Sequence, residues 1–346
     1  MLRSWAFFIL ALALLAGCAA PVGVGGRPGS GEPVALRLGY FPNVTHATAI
    51  VGVNEGIIEA ALAADVTLQT QVFNAGTDAV EALFSGALDA AFIGPNPAIN
   101  AFAQSNGEAV RIVAGAASGG ASLVVSQDIG SPADLAGMTL ASPSLGNTQD
   151  VALRAWLADE GYATDLEGGG DVAIQPLSNG DALQAFIQGE IDGAWLPEPW
   201  ATRMLAEGGG HVLVDERDLW PDGAFVTTHL VVATEFLEQH PDIVTQLLTG
   251  HVAAIDYVNA NAQRAQDIVA TAMLDLTDTE LPAGILAAAW DNLTFTVDPI
   301  ASSLATSAEH ATALGLLDPV DLAGIYDLAI LNEVLVAAGK PAVAAP

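Results

Sequence analysis

The chain is short of cysteine, of positive charge and of long apolar runs. Its 346 residues hold one cysteine, Cys18. No disulfide can close within a single chain, so the fold has to hold by packing. Lys and Arg together number 9 against 40 Asp and Glu, a formal net charge of −31, and Lys340 is the only lysine. A surface of that sign repels polyanions, which excludes nucleic acid and anionic lipid headgroups as partners. It suits solution in salty or acidic surroundings, where repulsion is screened or neutralised. An anionic ligand would have to be held by local donors against this long-range field. Although 52% of the residues are hydrophobic, the one membrane-directed run is Trp5–Leu15, and spanning a bilayer takes roughly 20 residues. The sequence has no G-x-S-x-G, no phosphate loop ending in Lys, and no pairing of His, Cys or carboxylates at metal spacing. It assigns no catalytic residue, no cofactor and no metal.

What is present begins with a leader. Arg3 precedes the apolar run, and Leu15-Ala16-Gly17-Cys18 follows it. That tetrad resembles the bacterial lipobox, in which cleavage leaves the cysteine N-terminal and carrying lipid. Residues 1–18 are therefore expected to be a lipoprotein signal peptide with Cys18 as the lipidation site. At about 0.8 kcal/mol per buried CH2, several acyl chains hold a protein on a membrane. Residues 19–33, rich in Gly and Pro, read as a flexible tether. The folded part should begin near Val34, outside the cytoplasm and anchored to the cell membrane.

Strand-like runs alternate with helical ones from Ala35 onward, which implies an α/β fold with mainly parallel sheets. The stretch Ser142–Leu157 concentrates the chemistry. Met138–Ala141 reads as a buried strand, Ser142–Gly146 as a turn, and Asn147 or Thr148 as the cap of a helix whose apolar stripe is Val151, Ala152, Ala155 and Trp156. A helix that starts straight after a strand leaves N–H groups unpaired and aims its dipole at an anion. Most such units bind nothing, but this chain builds the device twice. Asp78–Ile93 aligns without gaps on Asp181–Leu196, with six of sixteen positions identical, and the same offset of 103 puts Thr45 on Thr148. The repeated Asp89 and Asp192 read as structural groups bonding nearby backbone. Two halves joined by two extended crossovers, near Ser126 and near Leu230, imply two lobes about a hinge: residues 34–126 with 233–346, and residues 127–232. Helices over Glu235–Leu335 should cover the first lobe, and Val336–Pro346 should fray.

The blocks LRLGYFPN at Leu36–Asn43, FNAGTDAVEALFSGALDAAFIGPNPAI at Phe73–Ile99, LAGMTLASPSLGNTQDVALRAWL at Leu135–Leu157, IDGAWLPEPW at Ile191–Trp200 and EFLEQHPD at Glu235–Asp242 stand in one order. In that order they resemble the solute-binding proteins of ABC importers, in the aliphatic-sulfonate and thiamine-precursor (NMT1-like) group. The resemblance implies a two-lobed periplasmic-binding-protein fold (type II), no catalysis, and delivery of a small molecule by a monomer to a permease and its ATPase. It carries ligand contacts onto Phe41 and Asn43 in the first cleft loop and onto Asn96 after Gly94-Pro95. Gly146, Asn147, Thr148 and Gln149 match the loop that receives a sulfonate, and Trp195, Glu198 and Trp200 match the opposite wall.

His46 lies beside the first cleft loop, and His229 near the second crossover. Asp150 sits in the first turn of the anion-loop helix and would repel an anion, whereas Arg154 falls on the same face and could reach the cleft. Glu198 suits an aminosulfonate's ammonium, or a neutral pyrimidine-type precursor as a hydrogen-bond partner, better than a bare anion; it could equally cap a helix or pair with Arg203. Sulfonate, taurine, nitrate and pyrimidine precursor all remain open as ligands, with an enzyme on the same scaffold as the alternative from another class.

Overall fold

The structure, a computed structural model, describes residues 34–344. The signal segment, Cys18 and the tether lie outside the described residues. Strand β1 (Val34–Tyr40) turns through a 3-10 segment at Val44–His46 into α1 (Ala47–Asn54). Gly56, at φ 66°, ends that helix and caps α2 (Ile57–Ala61), so the long helical run is broken where glycine allows left-handed backbone at no steric cost. There follow β2 (Val66–Val72), α3 (Gly76–Phe84), β3 (Ala90–Ile93), α4 (Pro95–Gln104) and β4 (Val110–Gly119). Next come β5 (Ala121–Val125), β6 (Thr139–Ser142), α5 (Thr148–Asp159), β7 (Ala173–Pro176), α6 (Asn179–Gln188), β8 (Gly193–Pro197), α7 (Trp200–Gly208) and β9 (His211–Asp215). The chain returns through β10 (Val226–Ala233) and closes with α8 (Thr234–Gln239), α9 (Pro241–Ala260), α10 (Ala262–Thr277), α11 (Ala283–Trp290), β11 (Leu293–Phe295), α12 (Ala301–Ala313) and α13 (Ala329–Ala337). No helix among the described residues is long and apolar enough to cross a membrane.

Two sheets result, ordered β11-β4-β10-β3-β1-β2 and β7-β6-β8-β5-β9. Each holds a parallel trio, β2-β1-β3 and β7-β6-β8. Beside the trio runs an antiparallel strand that arrives from the other lobe: β10 on β3, β5 on β8. The sheets are therefore mixed where mainly parallel pairing was expected, because a strand that has just crossed over enters its new sheet from the far end.

The repeat extends to single atoms. Asp89 opens its strand by accepting from the backbone N–H of Arg37 on β1 at 2.7 Å, and Asp192 accepts from the N–H of Thr139 on β6 at 2.7 Å. Both carboxylates fasten the first strand of their trio to the third. Arg37 also pairs with Asp89 through its side chain.

The sheets change over at Gly119–Gly120, not at Ser126. Ala121–Val125, placed in the first lobe by sequence, pairs with β8 and β9 of the second. On the return, all of Val226–Ala233 belongs to the first sheet, whereas residues up to 232 were assigned to the second. The physical reason lies in the backbone: Gly119 and Gly120 have φ 77° and 72°, a conformation open to glycine, and a Cβ on Gly119 would lie 2.6 Å from the Asn292 carbonyl. The two crossings run side by side. Gly119 N–H donates to the Phe225 carbonyl at 3.3 Å, and the Thr227 hydroxyl donates to the Gly119 carbonyl.

Helices α1, α9, α10 and α13 cover one face of the first sheet and α3, α4 and α12 the other. Fully buried Leu36, Leu38 and Ile50 are typical of this core, each contributing about 1.5–3 kcal/mol. The second sheet lies between a Trp156–Trp195 cluster under α5 and a Leu183–Phe186 cluster under α6 and α7. The C-terminal segment is tied down as far as Val343, contrary to the expected fraying. Asn332 bonds both backbone groups of Val343, and Lys340 pairs with Asp256 at 2.6 Å.

Candidate functional site

Between the sheets four helix beginnings face one small cavity of about 50 Å3. The Asn43–His46 turn that opens α1, Gly76 at the start of α3, and Gly94 with Pro97 at the start of α4 line it from the first lobe. Asn147, Thr148 and Gln149 at the start of α5 line it from the second, with Phe41, Pro197 and Thr227 completing the wall. The first N–H groups of each helix have no carbonyl partner within that helix. Pro95 and Pro97 carry no N–H, so the first turn of α4 offers the Asn96 amide alone among its first three residues. No lining residue is charged at neutral pH. His46 is buried, and desolvation pulls its pKa down to about 3, so it is neutral. Its Nδ1 accepts from Phe41 N–H at 3.4 Å, which leaves the proton on Nε2 as a donor. The Phe41 ring lies 4.5 Å from the imidazole.

The α5 wall is built rigidly. Asn147 caps the helix, its Oδ1 accepting from Asp150 N–H at 3.0 Å. Asp150 is fully buried and accepts from the Ser142 hydroxyl at 2.6 Å, Gly146 N–H at 2.8 Å and Arg154 Nε at 3.0 Å. Arg154, 1% exposed, also donates to the Asp165 carbonyl at 2.7 Å. Arg154 thus turns inward to Asp150 instead of reaching the cleft, and Asp150 faces its own loop with its charge answered. Together they clamp the 142–146 turn onto α5 and hold Thr148 and Gln149 forward.

Of the residues singled out from sequence, Phe41, Asn43, His46, Asn147, Thr148 and Gln149 meet around the cavity. Gly146 does not line it; its N–H is engaged by Asp150. Asn96 is buried beside it on the first turn of α4, with its Oδ1 unpartnered. Trp200 stands one layer back, its indole N–H holding Asn43 Oδ1 at 2.8 Å while Arg203 packs over its ring at 4.9 Å. Glu198 does not line the cavity, although its carbonyl accepts from Val44 N–H at 3.2 Å beside it. Its carboxylate caps α7, accepting from Thr202 N–H at 3.1 Å and the Thr202 hydroxyl at 2.9 Å, and it takes a 2.7 Å bond from Asn292 Nδ2 across the lobes. Burial raises its pKa, and those hydrogen bonds oppose the rise. Arg203 pairs with Glu207 at 2.7 Å, not with Glu198. Trp195 is core, donating to Glu216 at 2.8 Å. His229 is core as well, its Nε2 on the Pro299 carbonyl at 3.1 Å and its pKa lowered by desolvation to about 4.

Sequence reasoning missed Thr45, Gly76, Gly94, Pro97, Pro197 and Thr227 as lining residues. Gly94 carried the clearest signal, standing between a buried strand and a proline-opened helix. A Cβ at that position would lie 2.4 Å from Thr148 Oγ1, so the second lobe approaches there as closely as a glycine permits. Among the described residues no group of three His, Cys, Asp or Glu is placed to hold a metal ion.

A protein of Brucella abortus described only as a binding protein is 29% identical over 244 residues, covering 69% of this chain and 72% of its own. The taurine-binding periplasmic protein of Escherichia coli is 31% identical over 179 residues, 51% of this chain and 53% of that one. The alkanesulfonate-binding protein of Xanthomonas axonopodis pv. citri, solved with MOPS bound, superposes with a TM-score of 0.71 at 19% identity, covering 87% of this chain and 100% of its own. That likeness establishes the periplasmic-binding-protein fold. Residues 29–273, most of the chain, match the NMT1-like family, and the chain belongs to it.

Proposed function

We propose that this protein is the solute-binding component of an ABC import system and that it closes on a compact monoanion, a small sulfonate or aminosulfonate. The observation that carries the reading is the meeting of four helix beginnings from both lobes around a cavity with no charged side chain. Each helix end contributes about 0.3–1 kcal/mol toward an anion, up to about 2 when partly buried. Three charge-assisted hydrogen bonds at about 1.5–3 kcal/mol each add to the four helix ends, and with both contributions toward the top of their ranges the sum, less the cost of association, reaches the roughly −8 kcal/mol of micromolar binding. Thr148, Gln149, Asn43 and neutral His46 supply the side-chain donors, and Phe41 covers the apolar end. The net charge of −31 acts against capture at long range but is screened beyond about 8 Å at physiological salt.

The neutral heterocycle loses its support, since Glu198 and Trp200 stand outside the cavity and about 50 Å3 suits a few heavy atoms. The leader and Cys18 support lipid anchoring outside the cytoplasm, with a permease and its ATPase as partners of the monomer. A thermal-shift and calorimetric panel of methanesulfonate, taurine, nitrate and a hydroxymethylpyrimidine tests the assignment. Ligand at one hundred times Kd stabilises by about 2.7 kcal/mol. Stabilisation by a sulfonate, abolished in Thr148→Val, supports the reading; stabilisation by the pyrimidine alone, or by none of the four, overturns it.

A further inference from the structure

A second pocket takes no part in the cleft. It encloses about 260 Å3 along the seam where α5 of the second lobe meets α12 of the first. Trp156 and Asp159 line it from α5, Glu216 and Trp220 from the segment after β9, and Thr306 and His310 from α12. Its aromatic faces are fixed by their neighbours: Trp220 stacks on Phe225 at 5.7 Å and 17°, and Trp156 tilts against Trp195 at 6.1 Å. The His310 ring stands 6.4 Å from Trp220.

Glu216 at the base of this pocket is 2% exposed and accepts from the Trp195 indole at 2.8 Å. None of the ion pairs among the described residues includes it, and the adjacent Arg217 is engaged by Asp215 and Asn292. A carboxyl group removed from water without a cation is costly to ionise, and burial pushes this one up to about 7. The pocket thus combines indole faces, a buried carboxyl group without a counter-ion and a second acid, Asp159, within a strongly acidic protein. Indole faces attract alkylated ammonium groups through the ring quadrupole. A bare metal ion would need more oxygen ligands than these two acids bring.

We propose that this pocket binds a small alkylammonium ion, its methyl groups against Trp220 and Trp156 and its charge answered by Glu216 and Asp159. Because the walls come from both lobes, an occupant holds α12 against α5 and favours the closed arrangement of the cleft. The titratable groups that face the site are Asp159 from α5, Glu216 with Asp215 behind it from the second lobe, and His310 from α12. Ionising Glu216 favours a cation, so affinity rises with pH.

The test titrates the full chain with tetramethylammonium chloride at pH 8, with sodium chloride at equal ionic strength as control. The indole N–H resonances of Trp156 and Trp220 are followed. The expected result is a saturable shift with tetramethylammonium and none with sodium, weakened at least tenfold at pH 5.5 and in Glu216→Gln. Thr306→Phe, which fills the pocket from α12 and leaves the Glu216 carboxyl group in the chain, should abolish the shift and keeps the test valid should the Gln variant fold poorly. No saturable shift below 100 mM, or equal affinity in Thr306→Phe, overturns the proposal.

Discussion

Replacing Gly94 by alanine is the sharpest perturbation of the closed cleft. Gly94 has φ −71° and ψ 167°, which any residue adopts, so alanine strains no backbone. The added Cβ would lie 2.4 Å from Thr148 Oγ1 and 3.5 Å from Thr148 Cβ. Ordinary contact begins near 3.4 Å, so the two lobes must part by about 1 Å, or the Thr148 hydroxyl must rotate out of place. Thr148 cannot yield through its helix, because Asn147, Asp150 and Arg154 clamp the start of α5. A separation of about 1 Å stretches a 2.9 Å hydrogen bond past its useful range, and overpacking costs about 1–3 kcal/mol. Ligand binding should weaken by roughly 5- to 150-fold at 1.4 kcal/mol per tenfold. Calorimetry with whichever compound of the panel binds measures the loss, and small-angle scattering measures compactness. Adding Thr148→Ala to Gly94→Ala removes the clashing oxygen and leaves the ordinary 3.5 Å contact. The double variant should regain compactness without regaining the hydroxyl's hydrogen bond. Parental affinity in Gly94→Ala, or a double variant no more compact than the single one, refutes the argument.

Further predictions concern the supports of the site. Arg154→Met leaves Asp150 buried without its partner and should cost roughly 3–5 kcal/mol in denaturant unfolding, with Asp150→Asn in the same chain recovering part of it. Gly119→Ala forces a φ of 77° on alanine and drives a Cβ to 2.6 Å from the Asn292 carbonyl; a loss of about 1–3 kcal/mol should appear as a lowered melting temperature. Glu216 has its folded pKa raised to about 7 by burial. The folded state then holds a proton that the unfolded state has released, so the stability it contributes is full below the unfolded value and is lost as pH rises through 7. Relative to Glu216→Gln, the parent should lose stability on the order of 3 kcal/mol between pH 4.5 and 8, and equal pH profiles would sink this. His251 runs the other way. Its folded pKa is lowered to about 4 by burial, so relative to His251→Gln the parent should lose stability as pH falls from 6.5 to 4, read by denaturant midpoints at each pH.

The parts of this architecture that depend on local chemistry were legible in the sequence. The turn and cap at Ser142–Thr148 are written in Ser, Pro, Gly and Asn, and the repeat of Asp78–Ile93 in Asp181–Leu196 announced two related halves. The lobe boundaries were not, because β5 and β10 have the same apolar composition whichever sheet they join. Pairing across lobes is a tertiary choice, settled by the left-handed backbone at Gly119–Gly120. Capping stood among the readings of Glu198 but could not be chosen from sequence over a ligand contact, and the role of Trp200 was hidden, for a related reason. Their partners Asn292 and Asn43 lie 94 and 157 residues away in sequence, and nothing local distinguishes a carboxylate that caps α7 from one that meets a ligand. Asp150 looked like an obstacle to an anion because its answering charge, Arg154, was visible only as a residue on the same helix face.

The placement of the two crossings dictates what kind of motion is available. Gly119 and Phe225 are bonded neighbours, so both covalent links between the lobes run through nearly one line. A body fastened to another along a single line swings like a door and cannot slide. Residues near that line, such as Asn292 and Arg217, hardly travel, and Gly94 and Thr148 lie close to it as well: a Cβ on Gly94 would be 3.6 Å from the carbonyl of Thr227, whose hydroxyl is itself bonded to Gly119. A displacement so near the pivot is magnified toward the far rim, so a single methyl group on Gly94 is enough to hold the door ajar.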